Sequence, residues 1–452
     1  MTNAVNTREL VLGILMEVTG KGTHSHLVIR DVLSKYQYLG KQERSFITRV
    51  SIGTLEQMIL IDYIIDQFSS VKVKKMKPVI RNILRSAVYQ LKWMDSIPDS
   101  AVCNEAVKLT RKKGFQGLSG FVNGVLRSII RGMAQIRYPD EKEKPAESMS
   151  IRYSQPLWLT QMWLERFGPF TTGQILRAFL EESPTCIRCS TGKIRAEELA
   201  EKLNLQGIET VPSPYIKEAM EIRGYDYLGA LPEFKEGLFQ VQDVSSMLAV
   251  RIAAPAKGDI VYDVCAAPGG KSLYAAELME NTGMVTARDL TPCKVGLIEE
   301  NILRSGLTNI RAQVWDACVL DESAVETADL VLADLPCSGL GVLGRKPDIK
   351  YHMGPGQMRE LSSLQREILG TVHNYVKKGG VLVYSTCTID REENEENLEW
   401  FLNKFPFHLE SIDPYLCDEL RSATTARGYL QLLPGVHRAD GFFMARLRKD
   451  GE

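Results

Sequence analysis

The 452-residue chain is 44% hydrophobic and 25% charged, a composition that excludes a disordered or fibrous protein and fits a globular one. No apolar run approaches the roughly 20 residues that a membrane span needs, and the N-terminus lacks the basic-then-apolar pattern of a signal peptide. The length allows roughly two or three domains. Nine cysteines over this length do not form a disulfide framework, so we expect a cytoplasmic protein.

The net charge of −1 hides an uneven distribution along the chain. Residues 1–140 hold 21 lysines and arginines against 11 aspartates and glutamates, so this part carries +10 and the remainder −11. A basic module joined to an acidic one is typical of a protein in which one part grips a polyanion such as nucleic acid. A basic helical domain that is merely soluble is the alternative that charge leaves open.

Helical periodicity dominates the first part of the chain. Between residues 7 and 135, apolar residues recur at helical spacing, for example over 59–65 and 79–84, and no strand pattern interrupts them. The polar segment 136–150 contains two prolines and is typical of a linker. We predict an all-helical, RNA-binding domain over residues 1–140.

A short mixed segment follows the linker. Residues 157–167 and 196–203 have helical patterns, and residues 185–190 alternate like a strand. We predict that residues 141–235 comprise the linker and a small α+β connecting region.

From about residue 236, predicted strands and helices alternate. The strand candidates are 259–265, 283–289, 310–315, 329–334 and 380–386, and the helix candidates are 271–280, 294–305, 358–377 and 392–404. This order predicts a Rossmann-like α/β domain over residues 236–452, with a mostly parallel, doubly wound sheet and helices on both faces. In such sheets ligands bind beyond the carboxyl ends of the strands.

The loop after the first of these strands has the composition of a cofactor loop. A phosphate-binding P-loop would need glycine where Cys265 stands, so that motif is a poor match. Two glycines without Cβ atoms let a ligand approach the backbone, and the helix N-terminus that follows favours a carboxylate. We therefore predict a cofactor site lined by Cys265, Ala266, Ala267, Pro268, Gly269, Gly270 and Lys271.

Acidic residues end the next two strands. Asp289 could accept hydrogen bonds from ribose hydroxyls, and Asp316 could accept one from an exocyclic amine. For either residue alone, a helix N-cap is an equally good interpretation. In series, the two favour a nucleoside that carries a carboxylate, and S-adenosylmethionine is such a cofactor.

Two cysteines follow two further strands. Cys337 comes after the strand that ends near Asp334, and Cys387 comes after the strand at 380–386. The pair indicates thiol chemistry on a substrate held beside a bound small molecule. Small buried hydrophobic residues are the plainer interpretation of each cysteine alone.

Cys186 and Cys189 have the Cys-x-x-Cys spacing of a metal or redox pair, but they lie on a strand-like alternation and no second pair has ligand spacing. The histidines show no metal-binding spacing either, so we expect no metal. The charged loop 345–348 is either a contact to RNA phosphates or an ordinary exposed loop.

Four segments closely resemble the RNA cytosine-C5 methyltransferases of the Sun/Nop class: 263–271 (DVCAAPGGK), 334–339 (DLPCSG), 385–388 (STCT) and 433–443 (LPGVHRADGFF). Residues 43–46 and 97–107 resemble the helical NusB-like domain, which is joined to this catalytic core in the bacterial small-subunit branch of the family. Trp315, where the family often has glycine, and Ser272, where it usually has threonine, are departures that remove no functional group.

The chemistry requires two different groups. C5 of cytosine is too weak a nucleophile until a thiolate adds at C6, and a base must then remove the C5 proton. Chemistry alone leaves open which cysteine does which job. The resemblance implies that Cys387 is the nucleophile and that Cys337 removes the proton and releases the product. It implies that Asp334 binds the base near N3 and N4 and borders the cofactor, and that Lys271 holds the base or Asp334.

The resemblance also implies the substrate. We expect a monomer that methylates a cytosine in 16S ribosomal RNA, at position 967 in the standard 16S numbering. The same chemistry on transfer RNA is one alternative. An RNA-binding assembly or antitermination factor with an inactive core is another.

Overall fold

The computed structural model describes residues 5–451, and the chain divides into two compact units. The first unit comprises the chain up to Glu182 together with Leu343–His352. The second comprises Ser183–Val342 and the chain from Met353 onward. Within residues 5–451, no helix has both the length and the apolar character needed to cross a membrane.

The helices are numbered here in chain order. Those of the first unit up to Glu182 are α1 (Thr7–Lys21), α2 (Ser25–Lys35), α3 (Lys41–Glu56), α4 (Met58–Phe68), α5 (Pro78–Trp93), α6 (Asp99–Lys112), α7 (Ser119–Gly132), α8 (Pro145–Arg152) and α9 (Leu157–Ala178). The later helices are α10 (Ala196–Leu205), α11 (Pro232–Lys235), α12 (Val244–Ala253), α13 (Gly270–Leu278), α14 (Pro292–Ser305), α15 (Ile349–His352), α16 (Pro355–Val372), α17 (Glu395–Lys404) and α18 (Ala423–Arg427).

The strands form two sheets. The first four strands are β1 (Thr185–Cys189), β2 (Glu209–Pro212), β3 (Ala219–Arg223) and β4 (Phe239–Val241). The others are β5 (Ile260–Asp263), β6 (Met284–Asp289), β7 (Ile310–Val314), β8 (Ala328–Asp334), β9 (Val376–Thr386), β10 (Phe407–Leu409), β11 (Tyr429–Leu432) and β12 (Phe442–Lys449).

The first unit is helical, as predicted, and helices α1 to α7 bury apolar residues in one core. Helix α5 lies inside this core: Pro78 fits its first helical position, and its residues 82–90 are buried without interruption. Helix α8 begins inside the segment predicted as a linker, since Pro145 starts a helix as readily as it ends one.

The connecting region contains a small antiparallel sheet in the order β2-β3-β1-β4, with α10 and α11 nearby in sequence. Cys186 and Cys189 on β1 are both buried but lie in different apolar clusters, because residues three apart on a strand face opposite sides. They therefore pack as separate core residues. This region has the predicted α+β character.

The large sheet has the order β10-β12-β9-β8-β5-β6-β7, with β11 paired to β12. Strands β5 to β9 run parallel, and β12 and β10 complete one edge in antiparallel pairing. Alternate residues enter two different cores: Val261 packs with helices α12 to α14, while Tyr262 packs with α16 and α17. This is the predicted doubly wound sheet. Its strand order reverses between β5 and β8, which is where a ligand crevice forms in such folds.

Candidate active site

The predicted cofactor loop joins β5 to α13 at this switch point. Gly269 adopts a φ of 101° and forms the N-cap of α13, and the preceding Ala267–Pro268 peptide is cis. A Cβ at Gly269 would lie 3.2 Å from Cγ2 of Ile298, so both the backbone conformation and the space favour glycine. The loop therefore exposes backbone beside a helix N-terminus, as a ligand with a carboxylate requires.

Asp289 ties this loop to the neighbouring strand. Its Oδ2 accepts a hydrogen bond from the Ala267 amide at 3.0 Å, while Oδ1 accepts one from the Leu290 amide at 2.8 Å and lies 3.0 Å from Nζ of Lys294. Each carboxylate oxygen has two lone pairs, so acceptor capacity remains for ribose hydroxyls. Asp289 therefore also shapes the loop, a role that its position at a strand end in the sequence did not predict.

Asp263 lies deeply buried beneath the loop, and Cys265 lies partly buried within it. Asp263 ends β5 and accepts a hydrogen bond of 2.6 Å from the Ser272 hydroxyl. Burial raises the pKa of Asp263 to about 7, although that hydrogen bond and the charge of Lys271 oppose the rise. Burial also raises the pKa of the Cys265 thiol. Cys265 is therefore protonated and packs within the loop.

Asp316 lies exposed beyond the end of β7. Its Oδ1 accepts a hydrogen bond of 2.9 Å from the Cys318 amide, which closes a local turn. The neighbouring Trp315 donates from Nε1 to the Val319 carbonyl at 2.8 Å, so it braces the same turn. Contact of Asp316 with a cofactor stays a prediction.

Lys271 and Asp334 form the charged centre of the site. Nζ of Lys271 lies 2.6 Å from Oδ2 of Asp334, and the Ser385 hydroxyl donates to Oδ1 at 2.9 Å. Burial lowers the pKa of Lys271, but the charge and hydrogen bond of Asp334 outweigh burial, so this pKa lies above its usual value. Lys271 is therefore an ammonium that holds the carboxylate in place. Ser385 is a site residue that the motif pattern alone did not single out.

The two predicted cysteines are in contact. Sγ of Cys337 lies 3.2 Å from Sγ of Cys387, because β8 and β9 are adjacent parallel strands whose ends meet at one edge. The hydrogen bond with Cys387 raises the pKa of Cys337 well above its usual value, and burial and the charge of Cys387 add to the rise. Cys337 therefore holds its proton beside Cys387.

A buried network fixes the loop that carries Cys337. The Ser338 hydroxyl is 2.7 Å from that of Thr388, and the Ser338 amide donates to Oε2 of Glu393 at 2.9 Å. Gln365 also donates to Oε2 of Glu393, at 2.9 Å. Burial raises the pKa of Glu393 to about 7. None of these four residues was predicted as a site residue, although Ser338 and Thr388 lie in the quoted motifs.

A pair of glycines joins the two cysteine loops to the C-terminal motif. The Gly341 amide donates to the Cys387 carbonyl at 3.1 Å, and the Gly441 amide donates to the Gly341 carbonyl at 2.9 Å. A Cβ at Gly341 would overlap the carbonyl of Gly441, so the two backbones approach as only glycine permits. This contact explains physically why the segment 433–443 accompanies the cysteine motifs.

Comparisons with known proteins identify the family. Residues 250–448 match the family described as 16S rRNA methyltransferase RsmB/F, residues 5–131 match the NusB family, and residues 155–225 match the RsmF/B-like ferredoxin-like domain. A Bacillus subtilis (strain 168) protein named as a probable ribosomal RNA small subunit methyltransferase B is 37% identical over 99% of each chain. The chain belongs to the RsmB/F family.

Two solved structures resemble this chain over nearly all of their own length. The crystal structure of PH0851 covers 99% of each chain with a TM-score of 0.82 and 28% identity. NSun6 from Pyrococcus horikoshii, solved with SFG, covers 65% of this chain and 97% of its own, with a TM-score of 0.58 and 25% identity. The predicted fold class and the predicted enzyme class, an rRNA methyltransferase, are confirmed.

Proposed function

We propose that this RsmB/F protein transfers a methyl group from S-adenosylmethionine to C5 of a cytosine in 16S ribosomal RNA, through a covalent bond between Cys387 and C6. The observation that carries the proposal is the contact of Cys337 and Cys387 beside the Lys271–Asp334 ion pair, next to the glycine loop. Nucleophile, proton acceptor and base-binding carboxylate are then within one site.

The cofactor site fits a nucleoside that carries a carboxylate. The α13 N-terminus and the backbone of the loop that ends at Gly269 would hold the carboxylate, and Asp289 would accept from the ribose. Asp316 is exposed and would accept from the exocyclic amine. When bound, S-adenosylmethionine supplies a methyl group on a positively charged sulfur.

The resemblance makes Cys387 the nucleophile, and the raised pKa of Cys337 supports that order. Cys337, which keeps its proton, can donate its S–H to Cys387 and so stabilise Cys387 as a thiolate. The Cys387 thiolate then forms a bond to C6 of the cytosine, while Asp334 polarises the base near N3 and N4. Electron density moves to C5, which would take the methyl group as the bond from that methyl to the cofactor sulfur breaks and the sulfur becomes a neutral thioether.

The second half of the reaction uses Cys337. Once Cys387 is bonded to carbon, its charge and its hydrogen bond no longer raise the pKa of Cys337, so Cys337 loses its proton to solvent more readily, and this is the one proton that the overall reaction releases. As a thiolate it takes the proton from C5. The electron pair of the C5–H bond re-forms the C5=C6 double bond, and the bond between C6 and Cys387 breaks.

Trapping the adduct tests this assignment. The full chain and the variants Cys387→Ala and Cys337→Ala would be incubated with a 16S rRNA transcript and labelled S-adenosylmethionine, and then run on a denaturing gel. We expect an adduct to accumulate with Cys337→Ala, and neither adduct nor transfer with Cys387→Ala. Cys293→Ser is the matched control, because Cys293 is exposed and is not one of the two paired thiols. An adduct formed by Cys387→Ala would reverse the roles.

The substrate requires a separate comparison. The name of the Bacillus subtilis relative favours small-subunit ribosomal RNA over transfer RNA. We expect transfer to a 16S transcript, with the new 5-methylcytosine at position 967 by bisulfite sequencing, and none to transfer RNA. The intact pair of cysteines beside Asp334 argues against an RNA-binding factor with an inactive core. Absence of methyl transfer to any RNA would restore that alternative.

A further inference from the structure

A polar cavity lies within the first unit, outside the candidate active site. Its volume is about 470 Å³, and its walls are the end of α1, part of α5, and Tyr351 and His352 of α15. Two arginines of α5, Arg81 and Arg85, line it, and Lys21 lies at its edge. The cavity is therefore basic.

The charge of Arg85 is already neutralised. Its guanidinium binds Asp62 with two hydrogen bonds, Nε to Oδ1 at 2.7 Å and Nη2 to Oδ2 at 2.6 Å. Nη1 donates to the Asn82 side chain at 3.1 Å. Lys21 pairs with Glu17 at 3.0 Å and is mostly exposed. Neither cation needs a ligand to balance it.

Arg81 differs from these two cations. Its Nε is buried and has no hydrogen-bond partner among the described residues. A buried donor without an acceptor is costly, and a charged one most of all. Burial and the neighbouring charge of Arg85 lower the pKa of Arg81, although Asp62 opposes them. The rest of the Arg81 side chain is only partly buried and lines the cavity, and no carboxylate among the described residues pairs with it, so an anion in the cavity would balance its charge.

The wall opposite Arg81 is held in place by specific hydrogen bonds. The Tyr351 hydroxyl donates to the Leu55 carbonyl at 2.6 Å, and Nζ of Lys350 donates to the carbonyls of Glu56 and Ser154 at 2.7 and 2.6 Å. The His352 ring lies against Gly22, where a Cβ would be 3.7 Å from Cε1 of His352. The cavity is thus part of the packed structure of the unit.

We propose that this cavity binds a phosphate group of the RNA backbone through the guanidinium of Arg81. Lys77 precedes Arg81 by four residues, one helical turn, and Lys72, Lys74 and Lys75 precede it on an exposed stretch. A row of cations leading away from the cavity fits a polyanion better than a single carboxylate. The inference rests on the proposed function, since it assumes an RNA substrate.

Salt dependence of RNA binding tests the site. Fluorescence anisotropy with a 16S rRNA transcript would give the Kd of the full chain and of Arg81→Gln over a range of potassium chloride concentrations. Each lost phosphate contact lowers the slope of log K against log salt by about 0.7 to 0.9 and weakens binding roughly eightfold at about 0.1 M salt. We expect that change in Arg81→Gln. Arg81→Lys should restore the slope, because it keeps the charge.

The control is Arg30→Gln. Arg30 lies on the same unit, is largely exposed and is only loosely paired with Asp31, so the variant makes the same charge change outside the cavity. An equal loss of slope in Arg30→Gln, or an unchanged slope in Arg81→Gln, would overturn the proposal. Stabilisation of the wild type by inorganic phosphate that Arg81→Gln abolishes, with RNA binding unchanged, would assign the cavity to a free anion instead. RNA binding is measured without S-adenosylmethionine, so its result does not depend on whether the chain transfers a methyl group.

Discussion

Glu393 is a buried acid whose replacement tests the electrostatics around the cysteine loop. It is 0% exposed, its Oε2 accepts from Ser338 and Gln365, and its Oε1 has no hydrogen-bond partner among the described residues. Burial raises its pKa, and the charge of Asp390 adds to the rise, while the hydrogen bonds from Ser338 and Gln365 oppose it. Glu393→Gln replaces the acid with a neutral side chain of the same shape.

The magnitude follows from the pKa of Glu393 in the two states. A pKa of about 7 in the folded protein against an ordinary 4.5 is worth about 3 kcal/mol of unfolding free energy. Because the folded state binds this proton more tightly, its contribution is complete below pH 4.5 and is lost as the pH rises through 7. The free energy of unfolding of Glu393→Gln should therefore equal that of the wild type near pH 4 and exceed it by about 3 kcal/mol at about pH 8.5.

Urea unfolding at a series of pH values measures this difference. Subtracting the wild-type free energy of unfolding from that of the variant at each pH removes the contribution of the other buried acids, including Asp263. Glu399→Gln is the control, since Glu399 is an exposed glutamate on the helix that follows Glu393. A Glu393→Gln variant no more stable than the wild type at high pH would refute the reasoning, as would a difference that does not change with pH.

Three further predictions concern other charged groups. Asp334→Asn should slow single-turnover methyl transfer by about 100-fold or more, because the carboxylate that we propose binds the base is lost. Asp289→Ala should weaken cofactor binding in calorimetry by roughly tenfold, because the Ala267 amide loses its acceptor. Burial lowers the pKa of Lys350 from 10.5 to about 7, so the folded state loses stability as pH falls through that range. As the pH falls from about 9 to about 6, the free energy of unfolding of Lys350→Met, measured with urea, should therefore rise relative to that of the wild type.

The contact of the two cysteines could be predicted from the sequence for a simple reason. Parallel strands that share a sheet end at the same edge, so residues just after β8 and β9 had to meet once the alternation of strands and helices was recognised. Cys337, Cys387 and Asp334 are all of this kind. Their proximity needs only the topology, not the details of packing.

The burial of Glu393 could not be predicted in this way. It belongs to an acidic run, 392–396, of the composition typical of an exposed helix start. Its burial depends on Gln365 of α16, and no local pattern connects two positions 28 residues apart. Asp348 is a similar case, because the loop 345–348 has the composition of an exposed segment. Its carboxylate is instead buried and accepts hydrogen bonds from the side chain and amide of Ser25.

The coupling of the thiols gives a physical reason for using two cysteines in place of one thiol and an ordinary base. A carboxylate beside Cys387 would oppose its ionisation, because like charges in a buried site raise each other's pKa. In the proposed mechanism a protonated Cys337 would stabilise the Cys387 thiolate instead, and it would lose two causes of its raised pKa, the hydrogen bond and the charge of Cys387, when Cys387 bonds to carbon. The same contact of 3.2 Å thus favours attack first and proton removal second. The order of the two steps would then be a property of the pair, set by whether Cys387 carries charge.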